Sequence, residues 1–575
     1  MAAGRRPQGR SYRHRRPRRQ RGGLAVQQPG PFHRRHRRRP RRDDRLAPRP
    51  GAAPVRRGAA RRVPARLGRR GGQRASGGCR VARVGPAHRA RIRAPALVAH
   101  RGAAAFGEPF RLHADRGRDA ILSEPIEARL RAAGLPALPR TAWLEIDLDR
   151  IAANAITARG ALPAGVRLEA VVKADAYGHG AVPVATWLER GDAVDGLCVA
   201  TLDEGLELRG AGVRRPILVV YPIPPERAPE AARHGLGVTA GDATLLERML
   251  ATLARRDGSR SAAPTLAVQL EVETGLGRGG LDPGDLAPIV ARIRSTPGVE
   301  LTGVWSHLVA PEDADRSAGQ ADVFARAVEA VGGALRRPGP PIPREESARR
   351  GGPVGHLAAT GGLLAATVPA WDSVRLGLGL YGIVPDRLVA APERADAATA
   401  LRPAMSLHAR PVRVADLPAG HAISYGPSYE TGRPSRIATL PLGYGDGWPR
   451  GASNRASALV RGRRVPLVGT VAMDAVMADV TDVPGEPVGG DDEFVLLGEQ
   501  RGPLGTESIG AIELALARTT ISWEVVTAMA RRLPRVYHAA AVPVGVRTLT
   551  EEVYAWQPVS SSGTATSATS RSMPS

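Results

Sequence analysis

From residue 168 to residue 378, short apolar runs alternate with amphipathic stretches, and this alternation restricts the possible fold more than any other feature of the chain. LEAVVK (168–173), GLCVA (196–200), PILVV (216–220), LGVT (236–239), LAVQLEVE (266–273), ELTGVWSHL (300–308), VGHLAAT (354–360) and SVRLGL (373–378) each read as a strand. An apolar run such as LEAVVK lacks a polar face, as expected of a strand covered on both sides. Between the runs lie helical segments such as AVPVATWLERG and ATLLERMLATLARR. Eight strands alternating with helices predict an α/β fold, a (β/α)8 barrel of the TIM type, in which chemistry gathers at the carboxyl ends of the strands. Lys173, Glu271, Arg278, Ser306, His307, His356, Thr360 and Arg375 fall at or just after such ends.

Past about residue 398 the pattern changes to short alternating runs, SLHARPVRV, RIATLPL, ALVRGRRVPLVGTV, AVMADV and EFVLLG, separated by turn residues. These predict a second, mostly β domain. The expected organisation is an Arg-rich extension over 1–135, the barrel over 141–397, the β domain over 398–556 and a Ser/Thr-rich disordered tail over 557–575. A Pro/Gly/Arg-rich insert at 336–353 reads as an exposed loop.

Charge is unevenly distributed. Residues 1–140 hold 38 of the 82 basic residues but 7 of the 55 acidic ones, so the formal charge of +27 belongs to this first quarter. A stretch of Arg, Ala, Gly and Pro without apolar periodicity does not bury enough surface to offset its ordering entropy. It reads as a solvated tail or as upstream sequence translated ahead of the true start. Phosphate neutralisation by a basic arm is the alternative, but no aromatic platform interleaves the arginines, so nucleic acid is not the expected partner. No run of 18 apolar residues and no signal peptide is present, so a cytoplasmic, membrane-free protein is expected. Two cysteines, Cys79 and Cys198, exclude a disulfide framework and a cysteine metal cluster, and no metal is expected.

Lysine occurs once in the chain, at Lys173. A bias toward arginine can replace surface lysines, but not one whose amine must lose its proton and attack. Arginine stays charged, whereas a desolvated lysine can be neutral and condense with an aldehyde.

The string VVKADAYGHG (171–180) resembles the pyridoxal-phosphate attachment motif of the alanine racemase family. ETGLGRGG (273–280), SHL (306–308), VRLGLGLYG (374–382), SYG (424–426), LPLGYGDG (440–447) and MDAVMADV (473–480) follow in that family's order, so the resemblance covers roughly 141–540. It implies a pyridoxal 5'-phosphate enzyme that interconverts L- and D-alanine with two bases, one on each face of a planar carbanion. Lys173 would carry the cofactor and act as one base. Tyr425 would be the other, contributed by the second protomer of a homodimer with shared sites. Arg375 would face the pyridine nitrogen as a donor only, leaving a weak electron sink that favours prompt reprotonation. His307 would orient Arg375, with His356 and Asp474 in support. Arg278, assisted by the Met473 backbone, would hold the substrate carboxylate or the cofactor's phenolic oxygen. Tyr177, Thr360 and backbone N–H groups near Gly377 and Leu378 would hold the phosphate, Trp523 would contact the cofactor, and Tyr444 would line the substrate entrance.

Three positions depart from the family pattern. A lysine that many members carbamylate is here Glu271, whose carboxylate is expected to supply the same charge and pair with Arg278. An asparagine of the phosphate region is Ala359, and a tyrosine before Glu524 is Trp523. The altered pocket leaves serine or another small amino acid open as substrate, and D-alanine for cell-wall synthesis open beside a catabolic role. A non-catalytic pyridoxal-phosphate carrier would stop after the barrel. A fold-related decarboxylase would need a cysteine in the β domain, and residues 398–556 contain none.

Overall fold

The computed structural model describes residues 124–254, 264–332 and 353–556. Most of the Arg-rich extension, the 336–353 insert up to residue 352, and the tail lie outside these ranges.

The first strand, β1 (Ala142–Asp147), is followed by the eight barrel strands: β2 (Arg167–Val171), β3 (Gly196–Val199), β4 (Ile217–Val219), β5 (Leu236–Ala240), β6 (Leu266–Glu271), β7 (Val299–Trp305), β8 (Val354–His356) and β9 (Ser373–Leu376). All eight are parallel, each beside the next, and β9 returns to pair with β2. The ring closes between β8 and β9 through a bridge of Ala359 with Arg375 and the bond from Arg375 N to Ala358 O at 3.1 Å. β3 and β4 are buried along their whole length because side chains fill the barrel inside and helices cover it outside. Cys198 is fully buried there, which pushes its thiol pKa up.

The strands are shorter than the apolar runs suggest. The 168–173 run ends before Lys173, the 300–308 run ends at Trp305, and the 354–360 run ends at His356. In each case the chain leaves the sheet to present side chains at the rim, so apolarity extends past the ladder.

The N-terminal boundary also differs from the expectation. Ile126–Ala132 is a helix, and its Ile126 and Leu130 pack with Trp143, Val536 and Val546, so the folded part begins before residue 135. Strand β1 is not part of the barrel. It pairs antiparallel with β10 (Met405–Ala409) and parallel with Arg535–Ala539, inside the 12-stranded sheet built largely from residues beyond 400. Leu144 and Ile146 are fully buried in that sheet, and the Asp147 side chain then caps the helix Leu148–Gly160 by accepting from Arg150 N at 2.9 Å.

Candidate active site

Lys173 is the second residue after β2 and opens a turn in which Ala174, Asp175, Ala176 and Tyr177 all have φ near +53°. Such a run of left-handed L-residues costs on the order of 1–2 kcal/mol per residue and persists only where neighbours enforce it. Several do so. Glu204 accepts from Ala174 N at 2.7 Å, Asp175 Oδ1 accepts from Ala181 N at 2.9 Å, and Arg547 Nη1 reaches Asp175 at 2.8 Å. Buried Arg535 donates to Gly178 O at 2.9 Å. A Cβ on Gly178 would sit 2.3 Å from Val526 O, so the helix Ser522–Thr527, which carries Trp523, lies directly on the turn. None of these restraints was visible in the sequence, because Arg535 and Arg547 are ordinary members of an Arg-rich chain.

Burial, and then the charges of Arg278 and Arg375, lower the Lys173 pKa, which favours the neutral amine. Arg375, on β9, is 4% exposed, and among the described residues no carboxylate is hydrogen-bonded to it. It donates to Ser306 O at 2.6 Å, to His356 Nδ1, and at 3.3 Å to His307 Nδ1, with its guanidinium 5.0 Å from the Trp305 ring centre. His356 Nε2 meets Gln269 Oε1 at 2.7 Å. Because Nδ1 accepts from arginine, the Nε2 of His356 carries the proton and donates to Gln269. Burial followed by the Arg375 charge pushes His307 down to about 3 and His356 well below the ordinary range, so both rings are neutral. Burial lowers Arg375 to about 10, still high enough to keep it a donor at neutral pH. His356 is therefore the closer orienting histidine and His307 the second, and Gln269 is a partner that sequence reasoning missed.

Glu271 ends β6, and its Oε1 accepts from Arg278 Nη2 at 3.3 Å. Burial raises the Glu271 pKa, while the bond and charge of Arg278 oppose the rise. Arg278 also lies over the ring of Tyr221, 5.8 Å from its centre.

Thr360 Oγ1 accepts from Gly377 N at 3.1 Å and Gly379 N at 3.2 Å, so the N–H groups gathered here are those of Gly377 and Gly379, with Leu378 buried between them. A Cβ on Gly377 would lie 3.0 Å from Tyr177 Oη and 3.9 Å from Thr360 Oγ1. The missing side chain leaves a cradle walled by two hydroxyls and backbone N–H groups, which suits a phosphate. Ala359, the N-cap of the short helix Thr360–Ala365, offers no capping side chain.

Tyr425, Tyr444 and Met473 are on the β domain, 69%, 43% and 52% exposed. Tyr425 follows Ser424, whose φ of +65° turns the loop and whose hydroxyl donates to Thr470 O at 2.6 Å. The Tyr444 and Met473 loops are joined by Tyr444 N to Ala472 O at 3.0 Å and Gly445 N to Met473 O at 2.9 Å. Asp474 pairs with Arg532, which also holds buried Asp446. The single chain thus assembles Lys173, Tyr177, Glu271, Arg278, His307, His356, Thr360 and Arg375 on the barrel rim, and Tyr425, Tyr444 and Met473 on exposed loops of the second domain.

Among the described residues no helix is long and apolar enough to cross a membrane, and no cluster of His, Cys, Asp or Glu is arranged to hold a metal.

Two family models match the chain, the alanine racemase N-terminal domain over residues 146–385 and its C-terminal domain over 404–537. An alanine racemase of Symbiobacterium thermophilum is 38% identical over 400 residues, 69% of this chain and 97% of that protein. The crystal structure of alanine racemase from Bacillus anthracis with bound L-Ala-P superposes with a TM-score of 0.61 at 30% identity, covering 72% of this chain and 99% of that one. A histidine racemase from Leuconostoc mesenteroides has a TM-score of 0.58 at 27% identity over 70% and 99% of the two chains.

Proposed function

Because this chain belongs to the alanine racemase family and interconverts L- and D-alanine, we propose that it does so with Lys173 and Tyr425 as opposed bases and with pyridoxal 5'-phosphate held on the barrel rim. The observation that carries this reading is the placement of the chain's only lysine, half-buried, two residues past the end of β2 on the barrel rim.

The residues fit the cofactor. The cradle at Gly377 suits an anion, Arg375 presents a donor to which no carboxylate is hydrogen-bonded among the described residues, and Lys173 offers an amine whose pKa is lowered by burial. When bound, pyridoxal phosphate supplies an electron sink for the pair left behind as the substrate Cα proton departs.

Lys173 Nζ holds or moves the Cα proton on one face. Tyr425 Oη, brought by a second copy of the chain, does so on the other, consistent with its exposure on a loop of the β domain. Arg375 would donate to the ring nitrogen and keep its own proton, because the two neutral histidines and the carbonyls of Ser306, His356 and Leu357 hold it as a donor. Arg278, steadied by Glu271, binds the substrate carboxylate, and Met473 and Tyr444 border the entrance. Tyr177, Thr360 and the Gly377–Gly379 backbone bind phosphate, and the helix that carries Trp523 lies on the Lys173 turn. The enzyme works in the cytoplasm.

Trp523 and Ala359 favour a second reading of substrate range, in which serine or another small amino acid is also accepted, and the likeness to a histidine racemase adds weight to testing larger ones. D-isomer formation from a panel of L-amino acids, in wild type and Lys173→Arg, decides both points. Racemisation that persists in Lys173→Arg contradicts the assignment.

A further inference from the structure

We propose that Gln320, on the outer helix Ala314–Ala330, is a positioning residue that sets the two site arginines relative to each other through a one-way chain of hydrogen bonds. The inference rests on the reading above that Arg278 and Arg375 bind substrate and cofactor.

Gln320 is 3% exposed, and every part of its amide is used. Its Oε1 accepts from Val309 N at 2.9 Å, which fixes which end of the amide is nitrogen. Its Nε2 donates to Thr274 Oγ1 and to His307 O, each at 3.0 Å. Thr274 Oγ1 and Ser306 Oγ are 2.8 Å apart, and Ser306 Oγ donates to Val272 O at 2.7 Å. Ser306 has one hydroxyl proton and spends it on Val272, so the proton between the two hydroxyls belongs to Thr274. Thr274 in turn can accept only because Gln320 donates. The order Gln320, Thr274, Ser306, Val272 is forced by counting protons, and its members cooperate.

The chain ties together the two segments that carry the arginines. Thr274 belongs to the turn 273–280 that carries Arg278, a turn braced by Glu273 accepting from Gly277 N at 2.8 Å. Ser306 and His307 form the seat of Arg375, accepting from it at Ser306 O and His307 Nδ1. Gln320 is hydrogen-bonded to both segments, and among the described residues its bonds go to Val309, Thr274 and His307 and to neither arginine.

The test compares Gln320→Leu, Gln320→Glu and Thr274→Val in the full chain with cofactor bound. Losing the donor lets the two seats drift, and misplacements on the order of an ångström cost up to roughly a hundredfold in rate. Gln320→Leu and Thr274→Val are expected to lower kcat/KM about tenfold or more. Gln320→Glu keeps the shape and donates to Thr274 only while protonated, so its kcat/KM relative to wild type should rise severalfold as pH is lowered, while the Gln320→Leu ratio stays flat. A thermal-denaturation cycle on the apoprotein should show Gln320→Leu and Thr274→Val to be non-additive.

Wild-type kinetics in Gln320→Leu, or a flat Gln320→Glu ratio, overturns the proposal. Should Gln320→Leu fail to fold, Thr274→Val carries the test, and wild-type kinetics there overturns it equally. Arg375→Lys measured alongside separates the two claims. Activity lost there but intact in the Gln320 variants removes the relay alone, whereas activity retained in Arg375→Lys removes the reading beneath it.

Discussion

Arg278 donates from Nη2 to Glu271 Oε1 at 3.3 Å, an ion pair between the end of β6 and the turn that follows it. The carboxylate is part of the chain, and Lys173 is the only lysine, so no second lysine is present to be carbamylated. Wild-type activity is therefore expected to be indifferent to bicarbonate. Glu271→Gln should raise KM about fivefold, the ~1 kcal/mol ceiling of a partly exposed pair. Burial raises the Glu271 pKa, so its charge is lost as pH falls through that raised value. KM in wild type should rise toward acid pH more steeply than in Glu271→Gln. Unchanged KM in the variant would remove the charge-supplying role.

The proposal that two copies of the chain share their sites makes a mixing prediction. Lys173→Arg and Tyr425→Phe should each lose activity by about 10²–10⁴-fold, the usual worth of a proton-transfer group. When the two inactive proteins are unfolded and refolded together, one site of each mixed dimer regains both bases and activity returns. If Tyr425 served its own chain, no mixed site would hold both and none would return.

The cradle at Gly377 predicts a ranking of cofactor affinity. A methyl in Gly377→Ala would lie 3.0 Å from Tyr177 Oη, inside the space assigned to phosphate. Equilibrium dialysis of apoprotein should give a larger loss for Gly377→Ala than for Thr360→Ala. The latter removes one hydroxyl contact to a charged group, about tenfold.

A buried charge cluster predicts the pH dependence of stability. Arg129 makes a bidentate pair with Glu145 at 2.7 and 3.1 Å, Trp143 Nε1 donates to the same carboxylate at 3.0 Å, and His538 Nε2 lies 3.0 Å away. Burial alone would raise Glu145, but the charge of His408 and the paired bonds from Arg129 are among the interactions that outweigh it, so its pKa falls well below 4.5. That stabilisation is complete above about 4.5 and is lost as pH drops below it. Burial likewise opposes the charge on His408, yet Glu145 and Glu493 raise its pKa above 6.5, so its contribution is complete below about 6.5 and fades as pH rises through the raised value. Denaturation midpoints should peak between these limits. Glu145→Gln should destabilise by ~3–5 kcal/mol near pH 6 and by much less near pH 3.

Much of the barrel was legible because strands covered on both faces are apolar throughout and the helices between them are amphipathic. Strand β1 was not, since its apolar side chains do not reveal that it pairs with β10 and Arg535–Ala539, hundreds of residues away. Rim residues with unusual chemistry, Lys173, Arg375 and the two histidines, stood out by type and position. Gln269 and Gln320 did not, because an amide becomes informative only when its partners are known. Arg535 and Arg547 were hidden by composition, being two of 81 arginines that look alike until one is found buried against the Lys173 turn.

The central claim is that the amine of Lys173 is where the cofactor is attached. Borohydride reduction of the holoprotein followed by peptide mapping tests it directly, since the chain offers no other lysine side chain. A pyridoxyl group on the peptide containing Lys173 is the predicted result. A reduced, active-site-saturated protein with position 173 unmodified would contradict it.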